Sequence, residues 1–192
     1  METYIRNLNV KLLMKKVLLT SVFILFIAFS FAQGYESTKY GIRAGVNISN
    51  LDFDPSPVNR NLHRNGFYFG GFAEFSLSET TWLSTELLWS AEGAKDENWR
   101  ANYLNLPIQL KFKLGEHFTL GAGPQIGVKT WKSADAFDTF RFSGVGGIEY
   151  KFLEDYFIDV RAGYDFKNLL DENLSPLEAT QFTIQVGIGI KI

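Results

Sequence analysis

Few side chains in this chain of 192 residues have the chemistry to make or break bonds. There are two His and no Cys, which excludes disulfides, thiolate nucleophiles, thiolate metal sites and a lipid anchor on Cys. His63, with Asp52 and Asp54 close in sequence, is the one nucleus on which a His–acid hydrolytic set could be built. His117 falls in a different connection, and the strand pattern described below sends the two histidines to opposite ends of the fold. We therefore expect no shared metal site, no cofactor and no enzyme. Gly121, Gly123 and Gly127, Gly144, Gly146 and Gly147, and Gly187 and Gly189 have dinucleotide-like spacing. That fingerprint requires a strand–turn–helix context, whereas these glycines fall inside strand patterns, where they serve close backbone packing. A formal net charge of −2 supplies no basic field for nucleic acid.

The ion-forming residues are more informative. Arg43, Glu74, Glu86, Lys111, Arg141, Glu149, Asp159 and Arg161 each stand in a stretch where polar and apolar residues alternate, and always on the polar parity. Period two places successive side chains on opposite faces of a β-strand. The first such stretch is Tyr40–Ser49, with Ile42, Ala44, Val46 and Ile48 opposed to Arg43 and Asn47. It recurs at Phe67–Ser78, Trp82–Glu92, Leu104–Leu114, Phe118–Trp131, Phe140–Phe152, Tyr156–Asp165 and Phe182–Ile192, which predicts eight strands. The clearest sets Leu104, Leu106, Ile108, Leu110, Phe112 and Leu114 against Asn105, Gln109, Lys111 and Lys113. Pro107 on its polar face removes a ladder bond and suggests a bulge.

The connections alternate: long at about 53–66, 93–102, 132–138 and 168–180, short at 79–81, 115–117 and 153–155. Long loops at one end and short turns at the other are typical of outer-membrane barrels, with the turns in the periplasm. Aromatics gather near strand ends, as interfacial girdles do: Trp82, Phe118, Phe152 and Tyr156 toward the turns, and Phe67, Trp89, Tyr103, Trp131 and Phe140 toward the loops. Lys15 and Lys16 precede the apolar run Val17–Ala32, which closes on Ser30-Phe31-Ala32. This reads as a secretory signal peptide over 14–32, cleaved after Ala32. Residues 1–13 are then an upstream extension, and 33–192 form the barrel domain. The expected fold is all-β, an eight-stranded antiparallel up-and-down transmembrane barrel preceded by a signal-peptide helix, in contact with outer-membrane lipid.

Several stretches resemble the PorT-like outer-membrane β-barrel family of Bacteroidetes. They are Tyr40–Leu51 for the opening strand, Tyr103-Leu104-Asn105-Leu106-Pro107-Ile108-Gln109-Leu110-Lys111-Phe112 for the fourth and Gly121–Gly127 for the fifth. Gly144–Tyr150 and Asp159–Tyr164 follow for the sixth and seventh. The motifs occur in the family's order across nearly all of 33–192. Ile192 departs from the terminal aromatic common in such barrels. The resemblance implies the fold and the bacterial outer membrane as location.

An eight-stranded barrel has an interior that side chains fill, and charges there need partners. We expect an internal ion-pair network, with Glu74, Glu86, Glu149 and Asp159 neutralising Arg43, Lys111, Arg141 and Arg161, that plugs and stabilises the barrel. The first functional expectation is a non-enzymatic protein, structural or partner-binding, with Asp52, Phe53, Trp99 and Arg100 as partner-facing loop residues. The alternatives are an accessory component of a secretion or envelope machine, and a soluble lipocalin-like carrier whose lipid cavity is lined by Phe69, Phe75, Leu87 and Ile108.

Overall fold

The computed structural model describes residues 38–54, 63–130, 137–170 and 178–192. The expected extension, signal peptide, cleavage point and Trp131 lie outside them. Eight strands follow one another: β1 (Thr38–Asp54), β2 (Arg64–Ser76), β3 (Thr81–Gly93), β4 (Arg100–Leu114), β5 (Phe118–Lys129), β6 (Phe140–Lys151), β7 (Tyr156–Asp165) and β8 (Glu178–Lys191). Each pairs antiparallel with the next, and β8 returns to β1, so the sheet closes as an up-and-down barrel. Closure leaves no edge strand, and every ladder can be satisfied within the protein.

The register sets the shape. Thr38 pairs with Phe75, and successive partners are Leu83, Leu110, Ala122, Gly146, Ala162 and Ile184. Ile184 pairs with Ile48, so one circuit returns ten positions beyond its start. At ~3.3 Å per residue and ~4.8 Å between strands, that shear tilts the strands by about 40°. Each residue then advances about 2.5 Å along the axis, and Leu104–Leu114 covers about 25 Å, the height of a membrane barrel's apolar band.

The alternation fixes which face is which. Ile42, Val46, Leu104, Leu106, Ile108 and Val186 point outward and are exposed, while Arg43, Asn47, Asn105, Lys111 and Gln185 are buried. This arrangement overturns the carrier alternative. Phe69, Leu87 and Ile108 lie on the outer surface, and the interior is charged. Tyr103, expected in a girdle, is fully buried inside.

Three boundaries differ from expectation. β1 and β2 extend to Asp54 and from Arg64, beyond the alternating apolar residues that marked them. The connection read as 93–102 is only 94–99, and the 3-10 turn Glu97–Trp99 within it is capped by the Asp96 side chain. Pro107 makes no bulge. Pairing is interrupted beside it, but Thr85↔Ile108 and Leu88↔Asn105 keep one register, so no residue is inserted.

Candidate functional site

The lumen is organised in layers, and the lowest, toward the short turns, is ionic. Arg43 on β1 donates to Asp159 on β7 at 3.1 Å and to Glu149 on β6 at 2.8 Å. Its guanidinium also lies 3.5 Å from Glu86 on β3. Arg161 bridges Glu86 at 2.7 Å and Asp159 at 3.1 Å, closing a ring with Arg43. Lys111 on β4 donates to Glu74 at 2.7 Å and to Glu149, with Glu86 at 3.9 Å. Lys191 on β8 caps the cluster, 3.0 Å from both Glu74 and Glu149. Arg43, Lys111, Arg161 and Lys191 thus face Glu74, Glu86, Glu149 and Asp159, and the formal charges balance. Such balance is what a buried cluster requires, because an unpaired charge in low dielectric is far costlier than a paired one.

Aromatic rings complete the layer. The Arg43 guanidinium packs against both Phe72 and Phe157, 4.9 and 5.0 Å from their centroids, the two rings meeting edge to face at 5.8 Å, and Arg161 lies 5.3 Å from the Tyr68 ring. Cation–π contacts of this kind gain from desolvation. Glycines on β1 and β8 make the room. A Cβ on Gly41 would fall 2.3 Å from the Phe72 ring, one on Gly189 2.3 Å from Phe157, and one on Gly187 2.1 Å from the Tyr68 hydroxyl. Below this layer a cavity of about 170 Å³ opens at the turn end, bordered by Lys39, Lys113, Glu116, His117, Lys151 and Lys191.

The second layer centres on Arg141. Its guanidinium donates to Glu92 on β3 at 2.5 Å and to the Asn105 amide oxygen at 3.1 Å, and stacks 4.3 Å from Tyr103. Glu92 also accepts from Asn105 and from Gln181, and Asp165 lies 3.9 Å from Arg141 Nε. The sequence-predicted residues therefore divide: seven of the eight join the lower network, while Arg141 pairs with Glu92 and Asp165 instead. Lys191, Glu92 and Asp165 complete the set. All three carry the lumenal parity, which is the signal that could have included them.

The third layer, toward the long connections, is apolar. Leu51, Phe53, Tyr103, Phe137, Leu169 and Leu170 form one buried cluster, with Trp99 packed against it. Trp99 meets Phe53 at 4.9 Å and Phe137 at 6.1 Å, both edge to face. Phe53 and Trp99 thus serve as cap residues, and Phe53 is not available as a loop contact for a partner. Asp52 and Asp54 point outward and are exposed. Asn168 ties two cap residues together, its side-chain oxygen accepting from the Leu170 and Ala179 backbone N–H groups. His63, beside β2 at this end, makes a backbone bridge with Ala94. His117 lies in the β4–β5 turn at the other end, packed on Tyr150, so the two histidines are not brought together.

A family model described as the outer membrane protein beta-barrel domain matches residues 19–189. The chain belongs to the outer-membrane β-barrel family. No curated protein matches it. Two of the solved barrels that share its fold illustrate the likeness. Ail, the attachment invasion locus protein of Yersinia pestis, is 13% identical with a TM-score of 0.52, the match covering 81% of this chain and 99% of Ail. Neisserial surface protein A is 10% identical with a TM-score of 0.56, covering 82% of this chain and 100% of its own. At such identity the likeness is one of fold alone. The apolar side chains cover the outer face of this small barrel, and the polar ones fill its layered lumen.

Proposed function

We propose that this barrel is a non-enzymatic, non-conducting protein of the bacterial outer membrane that works through contacts at its loop end. In this reading the long connections face outside and the short turns face the periplasm. The chain is exported by a signal peptide over 14–32 and cleaved after Ala32. The order of the motifs from Tyr40–Leu51 to Asp159–Tyr164 favours a place among the PorT-like barrels.

The observation that carries the reading is the lumen filled in series. An ionic network, the Arg141 layer and the apolar cap occupy the axis in turn, leaving ions no continuous wet path among the described residues. The network's role is to plug the barrel and hold its strands, since its members come from β1, β2, β3, β4, β6, β7 and β8. Partner contact falls to what the cap leaves outside, including the exposed Arg100 and the outward Asp52 and Asp54. An accessory subunit of an envelope machine would use the same surface.

The test is reconstitution of the purified mature chain. Gels run with and without boiling should show a heat-dependent mobility shift, and planar bilayers should show no stepwise current. A steady single-channel conductance overturns the sealed lumen. A protein recovered soluble from the periplasm without the shift overturns the membrane assignment.

A further inference from the structure

Inside the second layer lies a small void of about 10 Å³. It is bordered by Glu92 on β3 and by Gln125, Arg141, Ser143, Asp165, Thr183 and Gln185 on the four adjoining strands β5 to β8. Two buried polar atoms at this place have no hydrogen-bond partner: Arg141 Nε, which carries a proton to donate, and Asp165 Oδ2, an acceptor when the carboxyl is ionised. Both side chains are 3% exposed. The separation of 3.9 Å between Arg141 Nε and the other Asp165 oxygen is too long for a direct hydrogen bond. It is the kind of gap across which a water bridges.

We propose that this void is a binding site for one structural water, which accepts from Arg141 Nε–H and donates to the Asp165 carboxylate. Size and chemistry agree. A void of roughly 10–15 Å³ on this measure holds one water, and buried waters typically make about three hydrogen bonds. The second water hydrogen goes to the Thr183 hydroxyl, which borders the void. Ser143 Oγ already takes the Gln125 amide at 3.2 Å, and Thr183 Oγ1 takes Gln181 at 3.0 Å. These oxygens are therefore oriented by the protein before the water arrives. Of the two carboxylates on its border, Glu92 already accepts from Arg141, Asn105 and Gln181, which leaves Asp165 to take the water. Gly163, which also borders the void, accounts for the space. A Cβ there would meet nothing closer than the Gly144 carbonyl at 3.7 Å.

That glycine supplies the experiment. The barrel, labelled with ¹⁵N and perdeuterated, is refolded in detergent micelles, and through-space transfer from water to the Arg141 Nε proton is measured. The wild type should give a cross-peak of the sign that marks a long-lived bound water rather than exchange. Gly163→Ala fills the void without a clash, so the peak should vanish while the barrel still refolds. Thr183→Val, which removes one bordering hydroxyl at constant shape, should weaken it. The proposal is overturned if the wild type shows no peak, or if the peak survives unchanged in Gly163→Ala. A peak that appears only when sodium is present is also contrary, because it assigns the site to an ion. If Gly163→Ala fails to refold, Thr183→Val decides: an unchanged peak rejects the site and a weakened one supports it.

Discussion

Replacing Arg43 by Met separates charge from packing in the lower network. The Arg43 side chain is 0% exposed, contacts three carboxylates and packs against two aromatic rings. Met is unbranched and polarizable, and packs against Phe72 and Phe157 with little loss of contact. What disappears is one positive charge, leaving Glu74, Glu86, Glu149 and Asp159 against Lys111, Arg161 and Lys191. Removing one partner of a buried ion cluster costs about 3–5 kcal/mol, roughly a hundredfold or more in the folding equilibrium. Lys191→Met removes the same charge from the same cluster, but the Lys191 side chain is 21% exposed at the mouth, where water can take over Glu74 and Glu149. Its cost should be nearer that of a surface pair, about 1 kcal/mol. Reversible urea unfolding in lipid vesicles, followed by gel mobility and tryptophan fluorescence, measures both. Arg43→Met combined with Asp159→Asn restores the balance and should recover about 1–3 kcal/mol of the loss. Equal costs for Arg43→Met and Lys191→Met, or no recovery in the double variant, would refute charge balance as the organising rule of the lumen.

Other perturbations test the remaining layers. Glu92→Gln leaves Arg141 without its closest anion and should destabilise by about 3–5 kcal/mol, read in the same unfolding assay. Gly187→Ala pushes a methyl into the Tyr68 hydroxyl and within 2.9 Å of Asp159, an overpacking cost of about 1–3 kcal/mol. Gly146→Ala, whose Cβ would meet only contacts of 3.5 Å or more, should refold like wild type in a side-by-side urea titration. Phe137→Ala opens the apolar cap and should cost about 3–5 kcal/mol, yet bilayer recordings should stay silent, because the Arg141 layer and the ionic network still block the axis.

The strand count, the closed up-and-down order and the face of each charge were legible because period-two alternation survives in every strand. Partner choice was not. Arg141 and Glu92 are 49 residues apart in sequence, and which acid meets which base across a lumen depends on register and shear. Neither can be read from the alternation of one strand. The lumenal aromatics were missed for a different reason. Phe72, Tyr103 and Phe157 are apolar bodies on the wet parity, and a rule assigning apolar residues to lipid passes over them. A signal existed: Phe72 sits two residues before Glu74, Phe157 two before Asp159, and β1 and β8 carry glycines on their inward faces. The length of the third connection was misjudged because Arg100–Tyr103 extends β4 with few outward apolar residues.

That same segment explains why an apolar core forms in a barrel that is otherwise wet inside. In β1, Ile42, Val46 and Ile48 face lipid, and Arg43 and Asn47 face the lumen. Beyond Asn50 the parity continues but its chemistry reverses: Leu51 and Phe53 point inward and are buried, while Asp52 and Asp54 point outward and are exposed. β4 does the same, with Ala101 and Tyr103 inward before the lipid-facing run begins at Leu104. The register pairs Phe53 with Ala179 on β8, another inward cap residue. A strand that outlasts the apolar band of about 25 Å leaves lipid and meets water on its outer face. There the hydrophobic effect again favours apolar residues inside. The point at which the alternation changes sign, between Ile48 and Leu51, is where the outward apolar band ends and the cap begins. One unbroken strand carries an ionic lumen in lipid and an apolar core in water.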